Sequence, residues 1–158
     1  MRVAILTVSD SASRGTSEDR SGPGVAARCR ELGWEIVSTA IRADDRDAIA
    51  AFLKTIADSH AADLILTTGG TGLAPRDVTP EATMDVCERL IPGFAEKMRT
   101  DGLKKTPRSV MSRAVAGLRG QTILINLPGS PKGAVESLDA IADLLPHAVE
   151  VLHGMHHG

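Results

Sequence analysis

The chain has 158 residues with a formal net charge of −2, from 18 basic and 20 acidic side chains, and 42% of its residues are hydrophobic. One globular domain over residues 1–158 fits this length. With two Phe, one Trp and no Tyr, the chain lacks the basic stripe and stacking rings of a nucleic-acid surface, and it contains no apolar span long enough for a membrane.

Four apolar runs are predicted to form strands, at residues 3–8, 35–41, 63–68 and 122–127. Each run is nearly continuous, as is typical of strands that are buried on both faces of a sheet. Helical patterns separate the runs, so successive strands are expected to be joined by right-handed crossovers. The predicted fold class is α/β, with a mostly parallel sheet that helices cover on both faces.

Helices are predicted at residues 24–32, 46–59, 80–90, 93–103, 109–115 and 131–152. Asp44 or Asp45 can cap the second of these, and Thr79 and Ser130 each stand before a proline that suits a first turn. Gly33 is a suitable stop for the first helix. The segment before that helix is predicted to be a polar loop that could fold over a ligand.

A glycine-rich segment directly follows the third predicted strand. Its sequence, TTGGTGLAPRDVT at residues 67–79, holds three glycines and four threonines. Glycines let a backbone approach an anion closely, and N–H groups and hydroxyls donate to its oxygens. The segment therefore predicts a phosphate site, with Asp77 placed to meet a metal ion or a proton; a glycine-rich turn without a ligand is the alternative. The predicted phosphate-site residues are Gly69, Gly70, Thr71 and Gly72.

Three further loops follow strand ends and are expected to lie on the same edge of the sheet, where ligands of open α/β sheets bind. The first strand leads to Ser9 and Asp10, and the second leads to Asp44. Turn or cap chemistry explains each loop separately, but their coincidence favours a binding site. The candidate residues of the loop after the fourth strand are Pro128, Gly129, Ser130 and Lys132.

Two familiar phosphate motifs do not fit the chain. No lysine follows Gly72, as a Walker loop requires. Residues 22–27 match G-x-G-x-x-A, but a polar segment separates them from their strand, which argues against a dinucleotide fingerprint. His153, His156 and His157 could form a weak metal cluster, and a solvated tail is the favoured interpretation.

The remaining reactive side chains give little support to other classes of function. Cys29 and Cys87 are too few for a disulfide framework or a zinc site. Ser112 and Arg113 have no adjacent base in the sequence, so no hydrolase triad is visible. Met1 leads directly into an apolar run without the features of a secretory signal, and a cytoplasmic protein is therefore expected.

Several of these segments together resemble the MogA/MoaB family of molybdenum-cofactor biosynthesis proteins, which is related to the G domains of gephyrin and of plant molybdopterin adenylyltransferase. The resemblance extends from residues 7–10 to the last predicted helix. Besides the glycine-rich segment, it rests on RDVTPEA at residues 76–82, PGF at 92–94, SR at 112–113 and LPG at 127–129.

The resemblance implies a three-layer α/β/α fold in a homotrimer or hexamer, and an enzyme that converts molybdopterin and MgATP to adenylyl-molybdopterin and pyrophosphate. It places the two functional aspartates at Asp44 and Asp77, as catalytic residues and Mg²⁺ ligands. It matches the pterin-binding serine to Ser112, and it places Ser9, Asp10 and the loop after the fourth strand along the pocket. A protein that inserts molybdate is the expected partner.

In the leading hypothesis, the terminal phosphate of molybdopterin attacks the α-phosphorus of ATP. The protein then has to position two polyanions and hold Mg²⁺, whose oxygen shell suits aspartates, phosphates and water. Arg113 and Lys132 are candidate anchors beside Ser112. The alternative is a molybdopterin-binding or scaffold protein without turnover, which would use the same pocket.

Overall fold

The computed structural model describes residues 1–155, and within that range six strands and seven α-helices follow one another. The strands are β1 (Arg2–Val8), β2 (Glu35–Arg42), β3 (Leu64–Thr68), β4 (Arg89–Leu90), β5 (Ala116–Arg119) and β6 (Thr122–Leu127). The helices are α1 (Asp10–Ser13), α2 (Ser21–Glu31), α3 (Arg46–Asp58), α4 (Thr79–Val86), α5 (Pro92–Gly102), α6 (Pro131–Ile141) and α7 (Leu145–Leu152). Short 3₁₀ turns are formed by Pro107–Met111 and Ala142–Leu144.

The strands form one sheet in the order β2-β1-β3-β6-β5-β4. β1 pairs in parallel with β2 and β3, and β3 pairs in parallel with β6. These are the four strands predicted from the apolar runs, so the mostly parallel sheet is confirmed. β5 runs antiparallel to both β6 and β4. The sequence patterns do not predict β4 and β5, which extend the sheet beyond β6.

Helices cover both faces of the sheet, and each face has its own hydrophobic core. On one face, α2, α5, α6 and α7 pack over side chains such as Leu66 and Ile125. On the other face, α3 and α4 pack over Leu6 and Ile65. Because successive residues of a strand point to opposite faces, the central strand β3 supplies both cores and is buried throughout. The three-layer α/β/α arrangement is therefore confirmed.

The chain topology opens a crevice at the carboxyl edge of the sheet. The helices that follow β1 and β3 lie on opposite faces, α2 in the first core and α4 in the second. The loops after these two neighbouring strands therefore diverge, which is the usual ligand position in open α/β sheets. β2 and β6 end at the same edge because they run parallel to β1 and β3. The fold thus brings the four predicted site loops together.

The predicted helix boundaries are partly confirmed. Asp45, and not Asp44, caps α3 by accepting a hydrogen bond from a backbone N–H of the first turn. Ser130 caps α6 in the same way. Gly33 follows the end of α2 with φ +82°, a conformation that favours glycine. Thr79 is instead the first residue of α4, and its hydroxyl bonds to a different loop.

The predicted helix at residues 109–115 is wrong. A short 3₁₀ turn ends within it, and the N–H groups that follow are satisfied by tertiary partners. Arg113 N donates to the Thr71 carbonyl (2.9 Å), and Val115 N donates to Asn126 Oδ1 (3.1 Å). The chain therefore remains extended and enters β5, which a two-residue turn joins to β6.

The predicted helix at residues 131–152 is broken in two. α6 ends at Ile141, a 3₁₀ turn follows, and α7 begins at Leu145. Pro146 explains the break, because proline has no N–H to donate and is tolerated only in the first turn of a helix.

Two other helices have shifted ends. The predicted helix at residues 80–90 ends at Val86, because residues 89 and 90 pair with β5 as strand β4. α2 begins at Ser21 instead of Gly24, and α1 occupies part of the predicted polar loop. Tertiary pairing and the capping of α1 by Ser9 therefore order segments for which the sequence pattern predicts other conformations.

Among residues 1–155, Cys29, Cys87 and His153 belong to no group of side chains that could hold a metal ion. Cys29 is buried in α2 and Cys87 follows α4, and burial raises the pKa of the two thiols to about 12 and about 11. His153 Nε2 lies 2.9 Å from the backbone carbonyl oxygen of Gln121. The other two histidines of the predicted tail, at positions 156 and 157, lie outside the described residues. Over residues 1–155, no helix is long and apolar enough to cross a bilayer.

Leu66→Ala is expected to destabilise the fold by about 2–5 kcal/mol, because its removal leaves a cavity in the core. Leu66 is fully buried in the central strand, whereas Val151 on α7 is 52% exposed. Val151→Ala is therefore the matched control, with an expected change below about 1 kcal/mol. Urea unfolding followed by circular dichroism measures both values, and equal losses would contradict the described core.

Candidate functional site

Two cavities open at the carboxyl edge of the sheet, on either side of residues 69–72, which we call the glycine loop. The smaller cavity has a volume of about 420 Å³ and is lined by the first two residues of the loop. The larger has a volume of about 690 Å³ and is lined by the last two. We call the smaller one the acidic cleft, after its lining residues Glu18, Asp19, Asp44 and Asp77. We call the larger one the basic cavity, because the cationic residues in its lining outnumber the acidic ones; the former are Arg99, Lys104, Lys105 and Arg108, and the latter are Asp101, Glu136 and Asp139.

The first two glycines of the loop are required by its backbone geometry. Gly69 has φ +103° and Gly70 has φ +71°, conformations that side chains disfavour. A Cβ atom on Gly69 would overlap the Val8 carbonyl, and one on Gly70 would overlap the Thr79 hydroxyl. On the opposite side, a Cβ on Gly129 would lie 3.3 Å from the Gly69 Cα. The glycine loop is therefore packed backbone against backbone between β1 and the loop after β6.

The backbone donors of the glycine loop include three that are unpaired. Gly69 N donates to the Leu127 carbonyl (3.1 Å). The N–H groups of Gly70, Thr71 and Gly72 have no acceptor among residues 1–155. Successive N–H groups of this kind form a concavity that binds anions. The loop geometry therefore fits the predicted phosphate site.

A chain of buried hydrogen bonds supports the glycine loop from beneath. Thr79 Oγ1 donates to the Gly69 carbonyl (2.9 Å), and Thr79 N donates to the Gly70 carbonyl (3.1 Å). Thr83 Oγ1 donates in turn to the Thr79 carbonyl (2.8 Å). Asn126 Nδ2 donates to Thr83 Oγ1 (2.9 Å), which links the chain to the centre of β6.

Asp44 and Asp77, the predicted catalytic and metal-binding residues, both line the acidic cleft. Each carboxylate lies beside the glycine loop. A Cβ on Gly70 would be 3.1 Å from Asp44 Oδ1, and a Cβ on Gly72 would be 2.8 Å from Asp77 Oδ2. The structure therefore brings together two carboxylates from different strand-end loops, next to the unpaired N–H groups.

The electrostatic environment of Asp44 suits a cation. Burial raises the pKa of Asp44 above its ordinary 3.8, and the negative charges of Asp10 and Asp77 act in the same direction, although a hydrogen bond from Asp10 N opposes them. Carboxylate oxygens are the ligands that Mg²⁺ prefers. Residues 1–155 contain no group of three or more His, Cys, Asp and Glu side chains arranged to hold a metal. A cation held by these two carboxylates would take its other oxygen ligands from water or from phosphate.

Ser9 and Asp10 occupy different positions with respect to the cleft. Ser9 lines it, with its Oγ accepting from Ala12 N (3.2 Å) as the cap of α1. Asp10 lines neither cavity, and its carboxylate accepts from Arg76 Nε (2.6 Å) and from Asp44 N (3.0 Å). The hydrogen bond from Arg76 is the main cause that lowers the pKa of Asp10 to about 2. Asp10 therefore lies behind the cleft and not at its surface.

Arg113, a predicted anchor for substrate, forms hydrogen bonds to other parts of the protein. Its Nε donates to the Gly72 carbonyl (2.8 Å), and its Nη2 donates to the Asp77 carbonyl (2.7 Å). Its Nη1 donates to Glu81 Oε2 at 2.7 Å. Arg113 lines neither cavity, so in this structure it joins the glycine loop to the Asp77 loop and to α4.

The other predicted site residues divide between the two cavities. Ser112, Pro128 and Ser130 line the basic cavity, whereas Gly129 lines the acidic cleft. The Ser130 hydroxyl already accepts a hydrogen bond as the cap of α6. Lys132 lines neither cavity, and its side chain is 90% exposed. Its Nζ lies 3.9 Å from Oε1 of Glu136, which lines the basic cavity, so Lys132 contacts that cavity only through Glu136.

Several residues of the site are not found by sequence reasoning. The cations of the basic cavity are among them, although the run KKTPR at residues 104–108 is a readable signal for an anion site. Asn126, which also lines this cavity, lies inside an apolar run, where a lone amide is itself a signal. Arg76 stands directly before Asp77, and only the structure shows that its partner is Asp10.

Comparison with known proteins identifies the family. A family model described as a probable molybdopterin binding domain matches residues 4–147. The chain is 41% identical to a molybdopterin adenylyltransferase of Helicobacter pylori, over 98% of this chain and 89% of that protein. It is 36% identical to the molybdopterin adenylyltransferase of Escherichia coli K12, over 98% of this chain and 80% of that protein. The chain therefore belongs to the molybdopterin binding domain family, as the motif resemblance predicts.

Solved structures agree in fold over nearly the whole chain. The molybdopterin biosynthesis enzyme MoaB of Thermus thermophilus is 48% identical with a TM-score of 0.91, covering 97% of this chain and 96% of that one. The tungsten cofactor synthesizing protein MoaB of Pyrococcus furiosus is 31% identical with a TM-score of 0.86, covering 98% and 97%. The predicted fold class is confirmed by these likenesses as well.

Asp44→Asn is expected to stabilise the fold at about pH 7 and to leave its stability unchanged at about pH 3. Since the folded protein raises the pKa of Asp44, the wild type loses stability as the pH rises above 3.8, the ordinary value of the group. Asparagine carries no charge and removes this penalty. Thermal unfolding of variant and wild type at both pH values measures the difference in Tm.

Asp10→Asn is the matched control, with the opposite sign. Because the pKa of Asp10 is lowered from 3.8 to about 2, its carboxylate adds stability above pH 3.8 that is lost as the pH falls toward 2. The variant should therefore be less stable than the wild type at neutral pH, and the loss should fade across that acidic range. A change of the same sign in both variants would contradict the electrostatics described here.

Proposed function

We propose that this chain is a molybdopterin adenylyltransferase that uses MgATP. A terminal phosphate oxygen of molybdopterin forms a bond to the α-phosphorus of ATP. The bond from that phosphorus to the bridging oxygen of the β-phosphate breaks, and pyrophosphate leaves with the electron pair. The names of relatives that match nearly the full chain support this activity.

One observation carries the proposal: three unpaired N–H groups of the glycine loop stand between two cavities, beside two carboxylates. An adenylyl transfer between two polyanions needs two binding spaces that meet at one phosphorus atom. It also needs donors that stabilise the charge which develops there. The two cavities share two walls, the glycine loop and the loop after β6. Residues 69, 70, 129 and 131 line the acidic cleft, and residues 71, 72, 128 and 130 line the basic cavity.

The acidic cleft is the proposed site of the ATP phosphates. Phosphates carry negative charge, so they would be repelled by Asp44 and Asp77 unless a cation intervened. When bound, Mg²⁺ supplies that positive charge and neutralises the phosphate oxygens. Asp44 and Asp77 would hold the ion, while Gly70 would donate its N–H group to a phosphate oxygen.

The basic cavity is the proposed site of molybdopterin. Its volume of about 690 Å³ lies in the usual range for a small-molecule site. Its cations outnumber its carboxylates, which suits an anionic ligand, and the Ser112 hydroxyl offers a hydrogen bond to a pterin ring. Residues 71 and 72 would bring the terminal phosphate of molybdopterin toward the acidic cleft.

The assembly and cellular setting are also proposals. We infer a homotrimer or hexamer in the cytoplasm and transfer of the product to a molybdate-insertion protein, all of which rest on the family resemblance. Exposed apolar side chains such as Leu90 and Val110 offer surface for association.

Asp77→Asn and Asp44→Asn are each expected to lower adenylyl transfer by at least ~100-fold, the scale of losing one electrostatic contact in a transition state. Both substitutions keep the shape of the side chain, so molybdopterin should still bind. Pyrophosphate release from ATP in the presence of molybdopterin and Mg²⁺ measures the rate. Asp143→Asn, at an exposed position in the 3₁₀ turn before α7, is the matched control and should retain wild-type turnover.

The same assay distinguishes the enzyme from a scaffold. A wild-type protein that binds molybdopterin but releases no pyrophosphate would favour the molybdopterin-binding scaffold without turnover. Normal turnover by both aspartate variants would show that the catalytic assignment is wrong.

Ser112→Ala is expected to weaken molybdopterin binding by roughly 1–3 kcal/mol, because a buried polar group of the ligand would lose its partner. Ser112 Oγ lines the basic cavity and accepts only a long hydrogen bond from Ala114 N, at 3.2 Å. Equilibrium dialysis with molybdopterin measures the affinity. Ser59→Ala, whose hydroxyl bonds within the end of α3, is the control. Unchanged affinity in Ser112→Ala would assign the hydroxyl a purely local role.

A further inference from the structure

We infer that Arg76 and Asp10 are positioning residues that fix the orientation and separation of the two carboxylates Asp44 and Asp77. The inference rests on the proposed role of those carboxylates as Mg²⁺ ligands. It assigns a task to an ion pair that lies outside both cavities.

Asp10 and Asp44 hold each other through two reciprocal hydrogen bonds. Asp10 N donates to Asp44 Oδ2 at 3.0 Å, and Asp44 N donates to Asp10 Oδ1 at 3.0 Å. One oxygen of Asp44 is therefore occupied by the loop after β1, and the other, Oδ1, lies next to the glycine loop. The direction of the Asp44 carboxylate thus depends on where Asp10 is held.

Arg76 holds Asp10 with two arms of its guanidinium. Nε donates to Asp10 Oδ2 at 2.6 Å, and Nη2 donates to Asp10 Oδ1 at 2.9 Å. A bidentate pair of this kind fixes the orientation of the Asp10 carboxylate as well as its distance from the guanidinium. Because Arg76 is the residue before Asp77, the pair connects the loop after β3 to the loops after β1 and β2.

Asp77 is anchored to the same frame. Its Oδ2 accepts from Ala74 N (3.0 Å), and its carbonyl accepts from Arg113 Nη2 (2.7 Å). Asp44 and Asp77 are therefore each held by hydrogen bonds in their own loops. The Arg76–Asp10 ion pair joins the loop of Asp77, after β3, to the loop of Asp44, after β2.

The exposure of the pair indicates that its contribution to overall stability is small. The Arg76 side chain is 66% exposed and that of Asp10 is 23% exposed. Ion pairs at such exposed positions contribute little to the free energy of folding. Loss of the pair should therefore leave the fold intact while releasing the Asp44 loop from the Asp77 loop. Since neither side chain lines a cavity, the effect on a bound ion would pass through Asp44 and Asp77.

The test measures metal binding without turnover. Mn²⁺ replaces Mg²⁺, and its binding to the protein in the presence of the α,β-methylene analogue of ATP is followed by electron paramagnetic resonance. Arg76→Gln and Asp10→Asn should each weaken Mn²⁺ binding roughly tenfold, and the double variant should be no weaker than the weaker single variant, since all three lack the same pair. Binding of the nucleotide analogue in EDTA should be unchanged in all three.

Arg119→Gln is the matched control. Arg119 makes a similar two-armed pair with Asp58, at 2.8 and 3.2 Å, at the opposite edge of the sheet. This variant should bind Mn²⁺ as the wild type does. A second measurement is amide hydrogen exchange at Asp44, whose N–H donates to Asp10. Exchange at this amide should be faster by roughly tenfold in Arg76→Gln and unchanged in the control variant.

Three results would overturn the inference while leaving the proposed function intact. They are wild-type Mn²⁺ affinity in Arg76→Gln, additive losses in the double variant, and weaker nucleotide binding in EDTA for Arg76→Gln but not for Asp10→Asn. The last result would mean that Arg76 contacts phosphate directly. A wild-type protein that binds no Mn²⁺ with the nucleotide analogue would instead reject the metal site of the proposed function, and the inference with it.

Discussion

The close approach of Gly69 to the backbone of β1 is the constraint on which the rest of the site depends. Its φ of +103° and the position of the Val8 carbonyl leave no space for a side chain. Gly129 approaches from the other side, so the glycine loop is fixed between two neighbouring strand ends. Three consecutive N–H groups are left without partners among residues 1–155 as a result. A backbone in this position offers an anion a preorganised set of donors, which costs no rearrangement on binding.

Asn126 links three segments around the glycine loop by hydrogen bonds, which an apolar residue could not form. Its Nδ2 donates to Thr67 and Thr83, and its Oδ1 accepts from Val115 N. Among the described residues, no buried side-chain nitrogen or oxygen lacks a partner. A buried polar network that is fully paired favours one arrangement of the chain over its competitors. Here the network holds residues 113–115 extended, which places Ser112 and Arg113 on opposite sides of the same segment.

Much of the fold follows from local sequence patterns. The strands β1, β3 and β6 are buried almost throughout, as the centre of a three-layer sheet demands. The predicted burial of β2 on both faces is wrong, because β2 lies at the edge of the sheet and alternates between exposed and partly buried residues. The carboxyl-edge rule then places Asp44 and Asp77 together, because the ends of parallel strands meet at one edge. β4 and β5 are different, since strands of two and four residues have no pattern of their own. They exist through pairing, β5 with β6 and β4 with β5.

Side-chain roles were less predictable than positions. Arg113 and Lys132 have the charge that a phosphate anchor needs, but the acceptors of Arg113 are backbone carbonyls and Glu81, which are distant in sequence. Asp10 is predicted to contact a ligand because it follows a strand end, but its carboxylate binds the guanidinium of Arg76 from another loop. Sequence shows where a charge lies along the chain, whereas its partner depends on the packing of loops. The break at Pro146 is an exception, because the missing N–H is a property of the residue itself.

The shared wall between the two cavities has a thermodynamic consequence. Residues 69 and 70 line the acidic cleft, and residues 71 and 72 line the basic cavity. The packing around Gly69 and Gly129 orders this segment during folding, so neither ligand bears the conformational entropy of ordering it on binding. A change that loosened the segment would add that entropic cost to binding in both cavities at once. The two affinities are therefore linked through the stability of the fold, without either ligand moving the loop.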